Sequence, residues 1–264
     1  MVKFSKTEDR KPKTKEKIIV ALDVATAEEA RQIIAELRGE VGAFKIGLQL
    51  FTAAGASFVR ETIAAGNKIF LDLKFHDIPN TVARASVEAA RLGVWMFNVH
   101  ALGGGEMMRK TIESVREVCD KENLLQPKII GVTVLTSANQ ETLKEVGIEA
   151  EIKEQVLNLA RLTAKCGLGG VVASPVEIKL IRAAIESEDF LIVTPGIRSS
   201  EFGVRSSELR NSDQTETFDD QKRVMTAKEA VAAGADYLVV GRPILQAADK
   251  ISAARKIIEE IESA

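Results

Sequence analysis

From residue 18 onward, short β-branched apolar runs alternate with longer segments whose apolar positions recur every three or four residues. The first pattern belongs to strands and the second to helices that bury one face. Eight runs qualify as strands: IIVALD (18–23), AFKIG (43–47), KIFLDLK (68–74), VWMFNVHA (94–101), KIIGVTVLTS (128–137), GGVVAS (169–174), FLIVTPG (190–196) and YLVVGR (237–242). Helices fall between them. AEEARQIIAELRG (27–39) sets Ala30, Ile33, Ile34 and Leu37 on one face and stops at Gly39, the residue type that ends helices most readily. IPNTVARASVEAARLG (78–93), KEQVLNLARLTAKCG (153–167), KEAVAAGA (228–235) and ADKISAARKIIEEIES (248–263) follow the same plan.

Eight strands alternating with helices predict parallel βα units. One sheet of eight such units over residues 18–264 has the length of a (β/α)8 TIM barrel, here a single domain. The alternative is a doubly wound open sheet. That fold advertises a glycine-rich turn after its first strand, whereas strand one here runs into LDVATAEEA without a glycine. The polar stretch Ser199–Gln221 is too long for an ordinary connection and is expected to be a lid loop.

Composition changes the picture only at the edges. With 45% hydrophobic and 28% charged residues the chain is an ordinary globular one, and its net charge of −2 gives no reason to expect a nucleic-acid partner. Residues 1–17 differ, holding seven Lys/Arg against three Asp/Glu and almost nothing apolar. Such a tail cannot bury enough surface to offset its ordering entropy, and disorder is expected. No apolar run approaches the roughly 18 residues of a membrane span. The start of the chain has no apolar signal segment either. Cys119 and Cys166 lie in helical segments without CxxC spacing, as free thiols do in a reducing compartment. A cytoplasmic protein is the expectation.

In a barrel the chemistry sits at the C-terminal ends of the strands. Those ends supply Asp23, Lys45, Asp72 with Lys74, Asn98 with His100, Thr136 with Ser137, Ser174, the run TPGIR from Thr194 through Pro195 to Arg198, and GRP at Gly241–Pro243. Asp23 could merely cap the next helix, but Thr26 with Glu29 three residues on is the better cap. Lys45 sits inside a strand, where a lysine needs an acidic partner; Asp23 and Asp72 on the flanking strands are the candidates. Asp72 and Lys74, two apart, share the inward face. A mixed acid–lysine array can set a proton on a lysine and aim it at a reacting carbon. His100 is expected to be a hydrogen-bonded structural histidine, and His76 to be structural too. Asn98 and Ser174 say nothing alone. Asp77 could cap the helix that starts at Ile78–Pro79. PGIR and VGRPI follow strands seven and eight, where barrels often hold phosphate. Gly196 and Gly241 would let backbone amides approach such a ligand, and Arg198 and Arg242 would offer it forked donors.

These residues resemble a known family. DLKFHDIPNT is similar to the DxKxxD signature of the orotidine 5′-monophosphate decarboxylases, and IIVALD, FKIGLQLF, GVTVLTS, VTPGIR and DDQKRVMTAKEAVAAGADYLVVGRPI follow in that family's order. The match spans residues 18–262 and looks closest to the bacterial form. It implies conversion of orotidine 5′-monophosphate to uridine 5′-monophosphate and CO2 in pyrimidine synthesis, with no metal and no organic cofactor. By position, Lys74 would protonate C6, Asp72 would face the departing carboxylate, and Lys45 would bridge Asp72 and the ribose in a network with Asp77. Asp23 would hold a ribose hydroxyl. Thr136 and Ser137 would lie near the base, and Pro195, Arg198, Gln221, Gly241 and Arg242 would complete the substrate and phosphate site. The resemblance further implies a homodimer in which Asp77 and Thr81 reach the neighbouring subunit's substrate. Residues 208–218 make the lid loop longer than is usual in the bacterial form, and the basic tail has no counterpart. Related sugar-phosphate decarboxylases and aldolases share DxKxxD but use Mg2+ with an acid on strand two, where this chain has Lys45. A non-catalytic nucleotide-binding barrel would need neither Lys45 nor Lys74.

Overall fold

The computed structural model describes residues 12–198 and 224–263. Eight parallel strands close into a barrel: β1 (Ile18–Ala21), β2 (Ala43–Gly47), β3 (Ile69–Phe75), β4 (Met96–His100), β5 (Lys128–Val132), β6 (Gly170–Val172), β7 (Leu191–Thr194) and β10 (Tyr237–Val240), with β10 pairing β1 to complete the ring. A separate two-residue pair, β8 (Ile197–Arg198) with β9 (Met225–Thr226), stands just past β7. Around the ring lie α1 (Ala27–Leu37), α2 (Leu48–Ala64), α3 (Pro79–Leu92), α4 (Gly104–Glu122), α5 (Gln140–Glu145), α6 (Ile152–Lys165), α7 (Ile178–Ala184), α8 (Ala227–Ala232), α9 (Arg242–Leu245) and α10 (Lys250–Glu262). The TIM barrel expected from the sequence is therefore the observed fold.

Strand alternation sorts the apolar residues into two cores. Ile18 and Val20 of β1, Phe44 and Ile46 of β2, and Ile69 and Leu71 of β3 face the helices. Ile19 and Ala21, Ala43, Phe70, Met96, Ile130, Val193, Tyr237 and Val239 fill the barrel's interior. Trp95 meets Tyr237 edge-on at 5.1 Å at the floor. The same inward rows continue upward into polar residues: Ala43 is followed by Lys45, Phe70 by Asp72, and Met96 by Asn98. An apolar floor thus supports a charged mouth, and truncating a floor side chain such as Phe70 would cost about 3–5 kcal/mol.

Local signals held in part. Thr26 accepts the Glu29 amide at 3.2 Å and caps α1, which leaves Asp23 available. Thr226 and Glu229 cap α8 reciprocally. Asp77 does not cap α3: that helix has no side-chain cap, Ile78 stands at its N-cap and Pro79 opens it. Asp77 stands one residue before the N-cap, and its carboxylate instead accepts the adjacent Ile78 amide at 2.6 Å. Helix α2 is interrupted at Gly55, which has φ 69° and ψ −173°. The last four residues of the basic tail, Thr14–Lys17, form a 3-10 turn against β1, β10 and α10. Residues 1–11 and the expected lid at 199–221 lie outside the described residues.

Candidate active site

The strand ends β1, β2, β3, β5, β6, β7 and β10 surround a cleft of about 440 Å3. Its lining includes Asp23, Lys45, Asp72, Lys74, Thr136, Pro195, Gly196, Gly241 and Arg242, over an apolar floor of Phe70, Val132, Val172 and Val239. Most of the strand-end residues singled out from the sequence line it; Asn98, His100, Ser137, Ser174, Thr194 and Arg198 do not.

Lys45 is only 8% exposed. Its Nζ lies 3.0 Å from Asp23 Oδ1 and 3.4 Å from Asp72 Oδ2. An ammonium that far from water loses several kcal/mol of hydration, and two carboxylates at contact distance offset that loss. Burial opposes the charge, but Asp72 and then Asp23 outweigh it and hold the Lys45 pKa above the usual lysine value. Gly47 leaves room beside the ammonium: a Cβ there would lie 3.0 Å from Lys45 Nζ and crowd it. Asp72 is pulled both ways as well. Burial favours its protonated form, but Lys45 and Lys74 prevail and keep its pKa below the ordinary carboxylate value. Lys74 Nζ donates to Asp72 Oδ1 at 2.7 Å. The result is an unbroken chain Asp23–Lys45–Asp72–Lys74 across the mouth, alternating in charge.

The strand that carries the last two members is not regular. Leu71 pairs with Phe97 and Phe75 with Val99, so Asp72, Leu73 and Lys74 all stand opposite the single residue Asn98. Such a bulge re-aims side chains next to a site. Lys74 takes a left-handed backbone, φ 52°, which costs a non-glycine residue about 1–2 kcal/mol. Asn98 compensates the lost ladder. Its Oδ1 accepts the Lys74 amide at 2.8 Å, and its Nδ2 donates to Asp72 Oδ1 at 2.7 Å. Sequence reasoning passed over this residue. The available signal was an asparagine at an inward, core-level position of a strand, where an amide must find partners for both its ends.

Other expectations need correction or fall elsewhere. Ser137 is exposed and outside the cleft lining: β5 ends at Val132, Thr136 and Ser137 share the turn that follows, and Thr136 alone of that pair lines the cleft. Arg198 pairs into β8 beside β9 and is not part of the cleft lining. Gln221 lies outside the described residues. Asp77 and Thr81 are exposed and are not part of this chain's own cleft lining. His100 is not the hydrogen-bonded histidine expected: its Nδ1 is buried without a partner, and its ring lies 5.4 Å from that of His76. Burial, then His76 and Lys74, push its pKa down, so the neutral ring is favoured. Gly196 has φ 81°, a conformation that glycine adopts without strain. Gln246 also lines the cleft beside Arg242 and was not foreseen. Among the described residues no cluster of three or more His, Cys, Asp or Glu could hold a metal ion, and no helix is long and apolar enough to cross a membrane.

Comparison with known proteins points one way. The family described as "Orotidine 5'-phosphate decarboxylase / HUMPS family" matches residues 16–257. The orotidine 5'-phosphate decarboxylase of Geobacter metallireducens is 52% identical over 249 residues, covering 94% of this chain and 96% of that protein. That of Syntrophotalea carbinolica is 50% identical over 250 residues, covering 95% and 96%. Among solved structures, the orotidine 5'-phosphate decarboxylase of Lactobacillus acidophilus superposes with a TM-score of 0.77 at 34% identity, covering 92% of this chain and 98% of that one.

Proposed function

This chain belongs to the orotidine 5'-phosphate decarboxylase / HUMPS family, and we propose that its Asp23–Lys45–Asp72–Lys74 array is the reacting centre of that activity. The reaction is the decarboxylation of orotidine 5′-monophosphate to uridine 5′-monophosphate and CO2 in pyrimidine biosynthesis. The C6–carboxylate bond breaks, and its electron pair stays on C6. Lys74 Nζ stabilises that developing charge and then transfers a proton to C6, leaving uridine 5′-monophosphate and a neutral amine that solvent recharges. A preorganised ammonium in a water-poor cleft does this better than water, because no solvent must reorient. Asp72 faces the departing carboxylate and, through its bond to Lys74, fixes where the proton waits. Lys45 and Asp23 hold the ribose. Pro195, Gly196, Gly241 and Arg242, with Gln221, take the phosphate, and Thr136 lies near the base.

The observation that carries this reading is the position of Lys45. Its ammonium occupies the space between the carboxylates of Asp23 and Asp72, where the Mg2+-dependent sugar-phosphate enzymes would need a cation. Charge stabilisation in this cleft therefore comes from lysine.

The same reading places the protein in the cytoplasm, in keeping with two buried free thiols, and makes it a homodimer. Ile78 is 66% exposed, and Leu48 and Leu102 are exposed beside it at the neighbouring strand ends. A partner covering those apolar residues would bring the partner subunit's Asp77 and Thr81 to this cleft, whose lining in a single chain includes neither residue. One sample tests both parts. The full chain is given orotidine 5′-monophosphate in EDTA, the loss of its ultraviolet absorbance is followed, and the same solution is sedimented. Turnover by a dimer is expected. Absorbance that does not fall, or falls only after Mg2+ is added, removes the assignment of the centre. Full turnover by a monomer removes the shared site.

A further inference from the structure

We propose that Asn98 is a positioning residue of the decarboxylation, whose single side-chain amide holds both Lys74 and Asp72 in their working geometry. The proposal rests on the reading of Lys74 as the proton donor and adds a residue that touches no substrate. Asn98 is 0% exposed and is not part of the cleft lining. It stands behind the reacting pair on β4, opposite all three residues of the bulge. One end accepts the Lys74 amide at 2.8 Å and the other donates to Asp72 Oδ1 at 2.7 Å, the same oxygen that takes the Lys74 ammonium at 2.7 Å.

Only an amide of this length does both jobs. A carboxylate offers acceptors alone, a hydroxyl is too short to span both partners, and an apolar side chain offers neither bond. The two bonds act on different parts of the centre. The bond to the Lys74 amide opposes the left-handed backbone's return to the extended region; strained conformations of this kind persist only where the surroundings over-determine them. Release would swing the Lys74 side chain, and its Nζ would leave Asp72. The bond to Asp72 supplies the donor from β4 that complements Lys45 from β2 and Lys74 on β3, and His100 of β4 is a further titratable group within electrostatic reach of this carboxylate. Asn98 so links the two members whose relative position sets the proton's distance from C6.

The test is steady-state kinetics of the full-length Asn98→Ala and Asn98→Asp variants, with Lys74→Ala in parallel and thermal unfolding as the fold check. Asn98→Ala should lower kcat by about 100-fold with KM within a few-fold of wild type, since displacing a catalytic group by about 1 Å has that effect and the phosphate contacts are untouched. Asn98→Asp keeps the acceptor for the Lys74 amide and sets a second carboxylate against Asp72. Two carboxylates at that distance share a proton, so the acid limb of its kcat profile should move to higher pH. Should the alanine variant fail to fold, the aspartate variant, nearly identical in size and shape, decides alone. A wild-type kcat and an unmoved acid limb in Asn98→Asp overturn the proposal. So does a loss in Asn98→Ala that lies wholly in KM. If Lys74→Ala loses turnover while the Asn98 variants keep it, the positioning role alone falls. If Lys74→Ala itself turns over normally, the proton-donor reading falls first and takes this proposal with it.

Discussion

On the β1–β4 side of the mouth a network is bonded together before any ligand arrives: Asp23 to Lys45, Lys45 to Asp72, Asp72 to Lys74, and the Asn98 amide to both the Asp72 carboxylate and the Lys74 backbone N–H. On the β7–β10 side the cleft is lined by Pro195, Gly196, Gly241, Arg242 and Gln246, with Arg242 and Gln246 exposed. The first side carries buried charge, a bulge and a left-handed lysine, all of which oppose folding unless their partners are in place. The second side offers backbone and two exposed side chains, which need give up little hydration when the cleft is empty. The difference follows from what each must do. Charge that develops at a reacting carbon is best met by dipoles that need no reorganisation. A phosphate remote from the breaking bond needs only to be held, and its binding energy can then drive orientation and closure.

The strongest way to break this division is Lys74→Ala. Loss of a proton donor in the transition state removes about 10²–10⁴-fold in rate, and the loss should appear in kcat with the fold intact, since Lys45 still neutralises Asp72. The assay is turnover of orotidine 5′-monophosphate at saturating substrate. A kcat within tenfold of wild type would mean that the bonded half is structural.

How much of this could be read from the chain differs between the same two halves. Eight apolar runs with helical periods between them specify the barrel, because strand and helix periods are properties of local sequence. Lys45 declared itself too: a lysine inside a buried strand must find an acid, and both flanking candidates proved to be partners. Asn98 did not, because its meaning depends on a bulge in the neighbouring strand. The even spacing of Asp72 and Lys74 suggested a regular strand, whereas φ 52° at Lys74 breaks the alternation. A regular strand would put the two on one face by alternation; here the bulge sets their relative position instead, and both line the cleft. Ser137 failed for a related reason. An apolar run continues through Val134, but strand β5 ends at Val132, and Ser137 lies in the turn closed by the Ala138 amide on the Leu135 carbonyl. The phosphate side was legible as a motif and poorly placed as geometry, since Arg198 enters the β8–β9 pair and Gln221 lies outside the described residues.

Arg242→Ala probes the other half with a smaller expected effect. Hydrogen bonds to charged groups contribute about 1.5–3 kcal/mol, and each 1.4 kcal/mol is about tenfold. KM should therefore rise by roughly 10- to 100-fold while kcat moves less than in Lys74→Ala. Competition by inorganic phosphate should weaken in parallel. A large kcat loss at unchanged KM would place Arg242 with the reacting group and erase the contrast.

The smallest effect separates the halves by stability rather than by rate. Asp72 has a lowered pKa in the folded protein, so the unfolded chain binds more protons as pH falls below about 4. Its contribution is fully present above that range and is lost as pH falls through the depressed folded value. Lys45 has a raised pKa; its contribution is present below about 10.4 and is lost as pH rises through the elevated folded value. Between these limits the bonded half adds a constant term. Unfolding free energy measured from pH 5 to pH 2 should then fall less steeply in Asp72→Asn than in wild type, by at most about 1.4 kcal/mol per pH unit, the slope for one proton. Arg242→Ala should keep the wild-type slope, because it leaves Asp72 and both of its lysine partners in place. Equal slopes in wild type and Asp72→Asn would mean that Asp72 titrates alike folded and unfolded, and the bonded half would then owe its stability to packing rather than to its charges.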